Sequence, residues 1–137
     1  MRASAGFDID EWADEPIDDG DGTPRSRAHV RKTFHGDLTG RGEAELLLAG
    51  TPVEGSRAYV GIERVTGTLD GRAGTFLLQH AALGDRGVPS ASWTIVPDSG
   101  TGELTGLRGT AQITQAPDGA HTITFDYELT PNPAPAR

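Results

Sequence analysis

The stretch that decides the fold is Ala58–Leu83, which reads AYVGIERVTGTL, then DGR, then AGTFLLQHAAL. Side chains in both halves alternate with a period of two, which is typical of β-strands with one face turned inward. Between the halves stands Asp70-Gly71, a pair that favours the tight turn of a β-hairpin because both residues tolerate a positive φ. The sequence therefore predicts two antiparallel strands, Ala58–Leu69 and Ala73–Leu83, joined by this turn.

Segments of the same kind lie on both sides of the hairpin, separated by turns rich in glycine, proline and aspartate. They are Ala5–Ile9, Val30–His35, Glu43–Ala49, Val88–Pro97, Glu103–Gln115 and His121–Thr130. No window has the apolar spacing of an amphipathic helix. Eight short strands predict an all-β fold, either an eight-stranded antiparallel β-barrel, lipocalin-like in shape, or a flattened sandwich. A barrel of eight strands encloses space for packed side chains or for one small ligand.

Composition limits the organisation of the chain and its partners. The 137 residues fit a single domain, with the barrel over 1–130, an acidic loop at 13–24 and a proline-rich tail at 131–137. Residues 1–22 carry eight acidic side chains and one arginine, so most of the net charge of −8 lies there. Such a chain has no basic surface for nucleic acid, and an anionic membrane would repel it. The acidic start also lacks the pattern of a signal peptide, so we expect a cytoplasmic protein.

The strand faces that carry large rings are expected to point inward, because rings remove the most apolar area from water. This choice places Glu63 and His80 inside the barrel. The side chains expected to wall a substrate pocket around them are Tyr59, Phe76, Trp93 and Tyr127. A carboxylate walled by rings has a raised pKa and can act as a general acid or base, with the histidine as its catalytic partner. The alternative is structural: Glu63 pairs with an arginine, and His80 is a core histidine with its hydrogen bonds satisfied.

Other kinds of site find little support in the sequence. The chain has no cysteine, and its four histidines lack the spacing of a metal site on a strand, so we predict no metal. Ser99 does not lie in a nucleophile elbow, because Pro97 stands where the first glycine of that motif belongs. Asp8 and Asp10 alternate as in an EF-hand calcium loop, but Trp12 occupies the third ligand position and no glycine follows at the required step. Asp18–Gly22 could hold a hard cation only loosely and is expected to be a solvated acidic loop.

Four segments taken together resemble a known family. They are Gly61–Leu69, Gly74–His80, Val96–Gly109 and Phe125–Leu129. In this order and spacing they are similar to a bacterial domain-of-unknown-function family of small β-barrels that is related in fold to plant allene oxide cyclase. The resemblance covers about residues 4–130 and implies an allene oxide cyclase-like barrel.

The resemblance implies a reaction in which the barrel interior fixes the conformation of the substrate. The wider superfamily includes allene oxide cyclase, the dirigent proteins and similarly shaped polyketide cyclases, which hold a hydrophobic substrate in a reactive conformation. It implies an isomerase or cyclase of secondary metabolism that acts on a small hydrophobic ligand without a cofactor, in a homo-oligomer, either a dimer or a trimer. Two alternatives stay open: a non-catalytic carrier of such a ligand, and a filled barrel that acts through its surface.

Overall fold

The computed structural model describes residues 1–130, so the predicted tail at 131–137 lies outside the described residues. Eight strands form one closed barrel, in which each strand is antiparallel to its neighbours along the chain and the last strand pairs with the first. The strands are β1 (Arg2–Asp18), β2 (Arg25–Gly36), β3 (Leu38–Gly50), β4 (Arg57–Leu69), β5 (Arg72–Asp85), β6 (Val88–Ile95), β7 (Leu107–Gln115) and β8 (His121–Leu129). The predicted eight-stranded antiparallel β-barrel is confirmed, and the sandwich is not formed.

The hairpin that decided the fold has the register expected of it. β4 and β5 pair along their whole length, and the last pair, Leu69 with Arg72, leaves a turn of two residues. Asp70 and Gly71 have φ values of 48° and 84°. Two successive positive φ values are what a type I′ turn requires, and this turn matches the twist of paired strands.

The first strand is longer than the sequence suggested. β1 stays paired with β2 as far as Asp18, whose carboxylate also binds the guanidinium of Arg25. The pairing has two irregular steps, one between Ile9 and Glu11 and one between Pro16 and Asp18, and the second lies where a proline is tolerated in a strand. The acidic segment predicted as a loop at 13–24 is therefore strand up to residue 18, and only 19–24 form the turn.

The seventh strand begins later than predicted, at Leu107 instead of Glu103. Gly102 and Gly106 have φ values of 59° and 89°, which turn the chain away from an extended path. Between them lies a 3₁₀ turn, Gly102–Leu104, and Leu104 from this turn is buried in the core.

The core fills the end of the barrel that carries the β4–β5 turn and the 3₁₀ turn, which we call the closed end. Its largest rings, Phe76 and Phe125, meet edge to face with their centroids 5.9 Å apart. A second, smaller cluster of buried side chains lies towards the β1–β2 and β3–β4 turns, which we call the open end. Its members are Ala28, Val30, Ala44 and Leu46, with Leu48 and Tyr59 packed against them.

At the open end the barrel wall is incomplete. β8 pairs with β1 only over Arg2–Phe7, and β6 pairs with β7 only at Trp93 and Thr94. The described residues thus supply no strand partner for one edge of 9–18 in β1 or for the facing edge of 88–92 in β6. We call the opening between these two edges the cleft. Among residues 1–130, no helix has the length and apolarity needed to span a membrane.

Candidate functional site

Glu63 and His80 both point into the barrel, as the alternation predicted. Glu63 is fully buried, with 0% of its surface exposed, and His80 is 3% exposed. The two residues lie on adjacent strands, where Glu63 pairs with Leu78. His80 stands two residues further along the same face of β5, so the two side chains are diagonal neighbours. His80 Nε2 lies 2.8 Å from Glu63 Oε1.

A third buried polar side chain completes this group. Lys32 of β2 is 7% exposed, and its Nζ donates a hydrogen bond of 3.2 Å to Glu63 Oε1. The same ammonium group lies 4.8 Å from the ring centroid of Phe7, a cation–π contact. We call Lys32, Glu63 and His80 the polar triad.

The polar triad spans three strands because β3 carries small residues at this level. Gly42 is opposite Lys32 in the pairing of β2 with β3, and Ala44 is opposite Glu63 in the pairing of β3 with β4. A Cβ atom on Gly42 would overlap Glu63 Oε2 and would lie 2.9 Å from Cε2 of Phe34. The glycine therefore provides the space that the carboxylate occupies.

The ionisation of Glu63 differs from the sequence-based expectation. Burial acts to raise its pKa, but the contacts of the carboxylate with His80 and Lys32, taken together, outweigh burial and hold the pKa below its usual value. Glu63 is therefore an ionised carboxylate, whereas the sequence suggested a carboxyl with a raised pKa. Its charged partner is also a lysine and not the arginine of the structural alternative.

An apolar cavity of about 180 Å³ lies beside the polar triad. Its lining combines Lys32 and His80 with rings and aliphatic side chains from both edges of the cleft. The lining residues are Phe7, Ile9, Trp12, Val30, Lys32, Ala44, Leu46, Tyr59, His80, Trp93, Ile113 and His121. A wider depression of about 670 Å³ at the open end shares Trp12, Tyr59 and Trp93 with the cavity. The cavity therefore opens outward past these three rings.

Two of the predicted pocket walls, Tyr59 and Trp93, line this cavity. Their rings flank His80, with ring centroids 6.3 Å and 6.5 Å from its imidazole. Burial raises the pKa of Tyr59, and the neighbouring indole N–H of Trp93 offsets part of that effect. The indole does not reach hydrogen-bond geometry, since Trp93 Nε1 is a buried donor without a partner in residues 1–130.

The other two predicted walls, Phe76 and Tyr127, lie in the core at the closed end and are not among the cavity-lining residues. The Tyr127 hydroxyl donates a short hydrogen bond to Asp70 in the β4–β5 turn. Burial and this contact raise the pKa of Tyr127 to about 12. The inward direction of both side chains was predicted correctly, but alternation along a strand carries no information about depth in the barrel.

Sequence reasoning missed Lys32, which is the only lysine of the chain. A signal for it was present, because Lys32 shares its strand face with Val30 and Phe34, both of which are buried. Among the described residues, no group of three or more histidine or acidic side chains is arranged to hold a metal ion.

Comparisons with known proteins identify a family. The family model for a protein of unknown function, DUF3224, matches residues 3–127. The chain belongs to the DUF3224 family. A solved structure of a DUF3224 protein with unknown function from Shewanella oneidensis MR-1 is 38% identical, with a TM-score of 0.90, and the match covers 96% of this chain and 98% of that chain. Comparison with curated proteins gives no match.

Membership of the DUF3224 family confirms the coarser part of the resemblance seen in the sequence: a family of unknown function with a small β-barrel fold. The relationship to allene oxide cyclase stays a prediction.

Proposed function

We propose that this barrel binds a small, uncharged, largely apolar molecule in the cavity beside the polar triad. The observation that carries the proposal is the cavity itself, which is lined mainly by aliphatic side chains and aromatic rings and also by Lys32, His80 and His121. Its volume of about 180 Å³ is comparable with that of the engineered cavities of about 150 Å³ that hold benzene. The part of the ligand inside the barrel is therefore about the size of one ring.

The charge of the surroundings supports an uncharged ligand. Lys32 and Glu63 neutralise each other inside the barrel. The segment around Trp12, which lines both the cavity and the wider depression, carries an excess of acidic side chains. A carboxylate ligand would lose its hydration and meet a negative potential on entry.

The experiment is a thermal-unfolding titration with indane, a hydrocarbon of this size. A ligand that binds only the folded protein at about 100 times its Kd adds about 2.7 kcal/mol of stability, which raises Tm by several degrees. Ala44→Phe fills the cavity and should abolish the shift, whereas Ile62→Phe, on the outer face of β4, should retain it. The proposal fails if indane shifts neither the wild-type protein nor Ile62→Phe, or if Ala44→Phe responds as the wild type does.

A second candidate function is a cofactor-independent isomerase or cyclase that acts on a hydrophobic metabolite held in the same cavity. The observation that favours it over a simple carrier is the presence of His80 in the cavity lining, with its carboxylate partner behind it. Such a pairing is used by enzymes to orient a histidine base.

A further inference from the structure

The polar triad is arranged in two layers. Lys32 and His80 line the cavity, whereas Glu63 lies behind them and is fully buried. Both cavity-lining groups contact the same oxygen, Glu63 Oε1, at 3.2 Å and 2.8 Å. Of the polar triad, a molecule in the cavity therefore meets His80 and Lys32, and Glu63 acts on it only through these two residues.

The ionised state of Glu63 fixes the tautomer of a neutral His80. An ionised carboxylate only accepts hydrogen bonds, so Nε2 must carry the proton that it donates to Glu63 Oε1. The other ring nitrogen, Nδ1, then has a free lone pair. Nδ1 has no hydrogen-bond partner within residues 1–130. The polar side-chain atoms that are both fully buried and without a partner there are Glu63 Oε2 and Trp93 Nε1, and Nδ1 is not among them. It is therefore available to a molecule in the cavity as a proton acceptor.

Lys32 supplies the complementary group. An ammonium has three N–H donors, and only one of them is used by Glu63 in the described hydrogen bonds. Because Lys32 lines the cavity, a further N–H can bind an oxygen atom of the ligand. A fixed positive charge in a site with little water stabilises an oxygen that gains negative charge during a reaction.

We propose that the polar triad catalyses proton transfer at the carbon next to a carbonyl group in a small apolar ketone or aldehyde. His80 Nδ1 takes the α-proton, the C–H electron pair forms a carbon–carbon double bond, and the carbonyl π-pair moves to the oxygen, which Lys32 stabilises as an enolate. The imidazolium of His80 then returns the proton to the same carbon, or to the γ-carbon of a conjugated substrate, and the carbonyl re-forms. Atoms and electrons balance without any oxidant, reductant or cofactor.

This activity depends on the proposed function, since the carbonyl compound must enter the cavity. Glu63 acts as a positioning residue: it holds the tautomer of His80 and stabilises the imidazolium that forms. The hydrogen bonds from His80 and Lys32 to one oxygen keep both groups on the same side of the cavity.

The experiment measures exchange of the α-protons of 1-indanone in D₂O by NMR, with binding of the same probe followed by saturation transfer. A positioned general base contributes about 100-fold or more, so we expect the wild-type protein to exceed an equal concentration of imidazole by that factor. His80→Gln retains a donor for Glu63 but lacks the proposed base, and should fall to the imidazole rate. His29→Gln, which removes a His–Glu pair on the outer face of the barrel, should exchange like the wild type.

The outcomes separate the two proposals. Binding of 1-indanone without exchange above imidazole, or full exchange in a folded His80→Gln, would overturn the catalytic proposal and leave the binding site standing. No binding of 1-indanone or indane would overturn both. If His80→Gln does not fold, the wild-type protein still decides: exchange no faster than that of the same protein unfolded in urea refutes catalysis.

Discussion

Glu63 shows how a single charge can be kept in the interior of a small barrel. Burying a lone carboxylate is costly, and breaking a buried pair by removing one partner costs about 3–5 kcal/mol. Here two side chains contact one carboxylate oxygen, whereas Oε2 has no hydrogen-bond partner in residues 1–130. The site is therefore stabilised by its partners and not by complete satisfaction of the carboxylate.

The first prediction concerns the pH dependence of this pair. Because the folded-state pKa of Glu63 is lowered, its contribution is complete above the ordinary value of 4.5 and is lost as the pH falls below it. Glu63→Gln leaves Lys32 buried without a counter-charge and should cost about 3–5 kcal/mol at pH 7. We expect this difference to shrink between pH 4.5 and pH 2.5 in urea unfolding curves. If the difference in unfolding free energy between the wild type and Glu63→Gln stays constant over that range, the partners of Glu63 do not lower its pKa.

Gly42 supplies the second prediction. Its φ is not in the left-handed region, so it is required for space and not for backbone conformation. Gly42→Ala would force Glu63 or Phe34 to move, and overpacking of this kind costs about 1–3 kcal/mol. Gly50→Ala, on the same strand, meets only ordinary contacts with Pro24 and is the matched control. Equal stability of the two variants in urea unfolding would contradict the role given to Gly42.

The sequence predicted which way the polar side chains point, but it did not predict which residues they contact. Alternation along β4 and β5 was sufficient to place Glu63 and His80 inside, because one strand face must fill the barrel. The partner of Glu63 depends on contacts across β3, and the pairing of distant strands is not visible in local pattern. Lys32 could have been placed inside by its parity with Val30 and Phe34, but its meeting with Glu63 could not.

At the scale of elements, the connection between β6 and β7 replaces a missing strand. β6 pairs with β5 only over Leu78–Asp85, so residues 72–77 of β5 need other partners along this edge. The 96–105 segment supplies them: Val96 N–H donates to the Leu77 carbonyl, Ser99 Oγ accepts from the Leu77 N–H, and Thr101 binds Thr75 in the same way. The glycine-rich segment that carried the family resemblance therefore closes the sheet edge.

The third prediction tests this edge. Ser99→Ala removes the acceptor for the Leu77 N–H, a hydrogen bond of 3.0 Å, and should cost about 1 kcal/mol. Hydrogen exchange of the Leu77 amide should accelerate with it, whereas ligand binding at the open end should not change. Ser92→Ala, at an exposed position in β6, is the control and should alter neither stability nor this amide. Unchanged protection of Leu77 in Ser99→Ala would show that the serine does not pair this edge.

Some strand boundaries could be predicted from the sequence and others could not. The β4–β5 hairpin was predicted correctly because the Asp70-Gly71 turn and the alternation on both sides agree with each other. The predicted start of β7 was wrong because Gly102 and Gly106 bend the chain with positive φ values, at places where the nearby backbone of Ala73 and Thr130 leaves no room for a side chain. Local pattern cannot distinguish a strand from an extended segment that only lies along one.

For the whole molecule, the distribution of charge and the incomplete wall belong together. An unpaired strand edge is a template for aggregation, and charged side chains protect it. The free edge of β1 over 9–18 carries five acidic side chains and no basic one. The acidity that dominates the composition is therefore concentrated where the barrel is open, and it protects the edge at the same place where a ligand would enter.

The fourth prediction follows from this placement and concerns the charge of the ligand. Methyl benzoate should bind at least tenfold more tightly than benzoate, because the carboxylate loses hydration and is repelled by the acidic edge. Only the repulsion is screened by salt, since the Debye length falls from about 30 Å at 0.01 M to about 3 Å at 1 M. The preference measured by titration calorimetry should therefore decrease with salt without disappearing.

Charge-matched variants separate the acidic edge from the cavity. Asp10→Asn with Asp14→Asn removes two charges at the open end and should reduce the preference for the ester at low salt. Asp126→Asn with Glu128→Gln removes two charges from exposed positions of β8 towards the closed end and should leave the preference as it is. An equal effect of the two double variants would mean that net charge alone selects the ligand. Benzoate binding as tightly as the ester would refute selection of uncharged molecules by either the edge or the cavity.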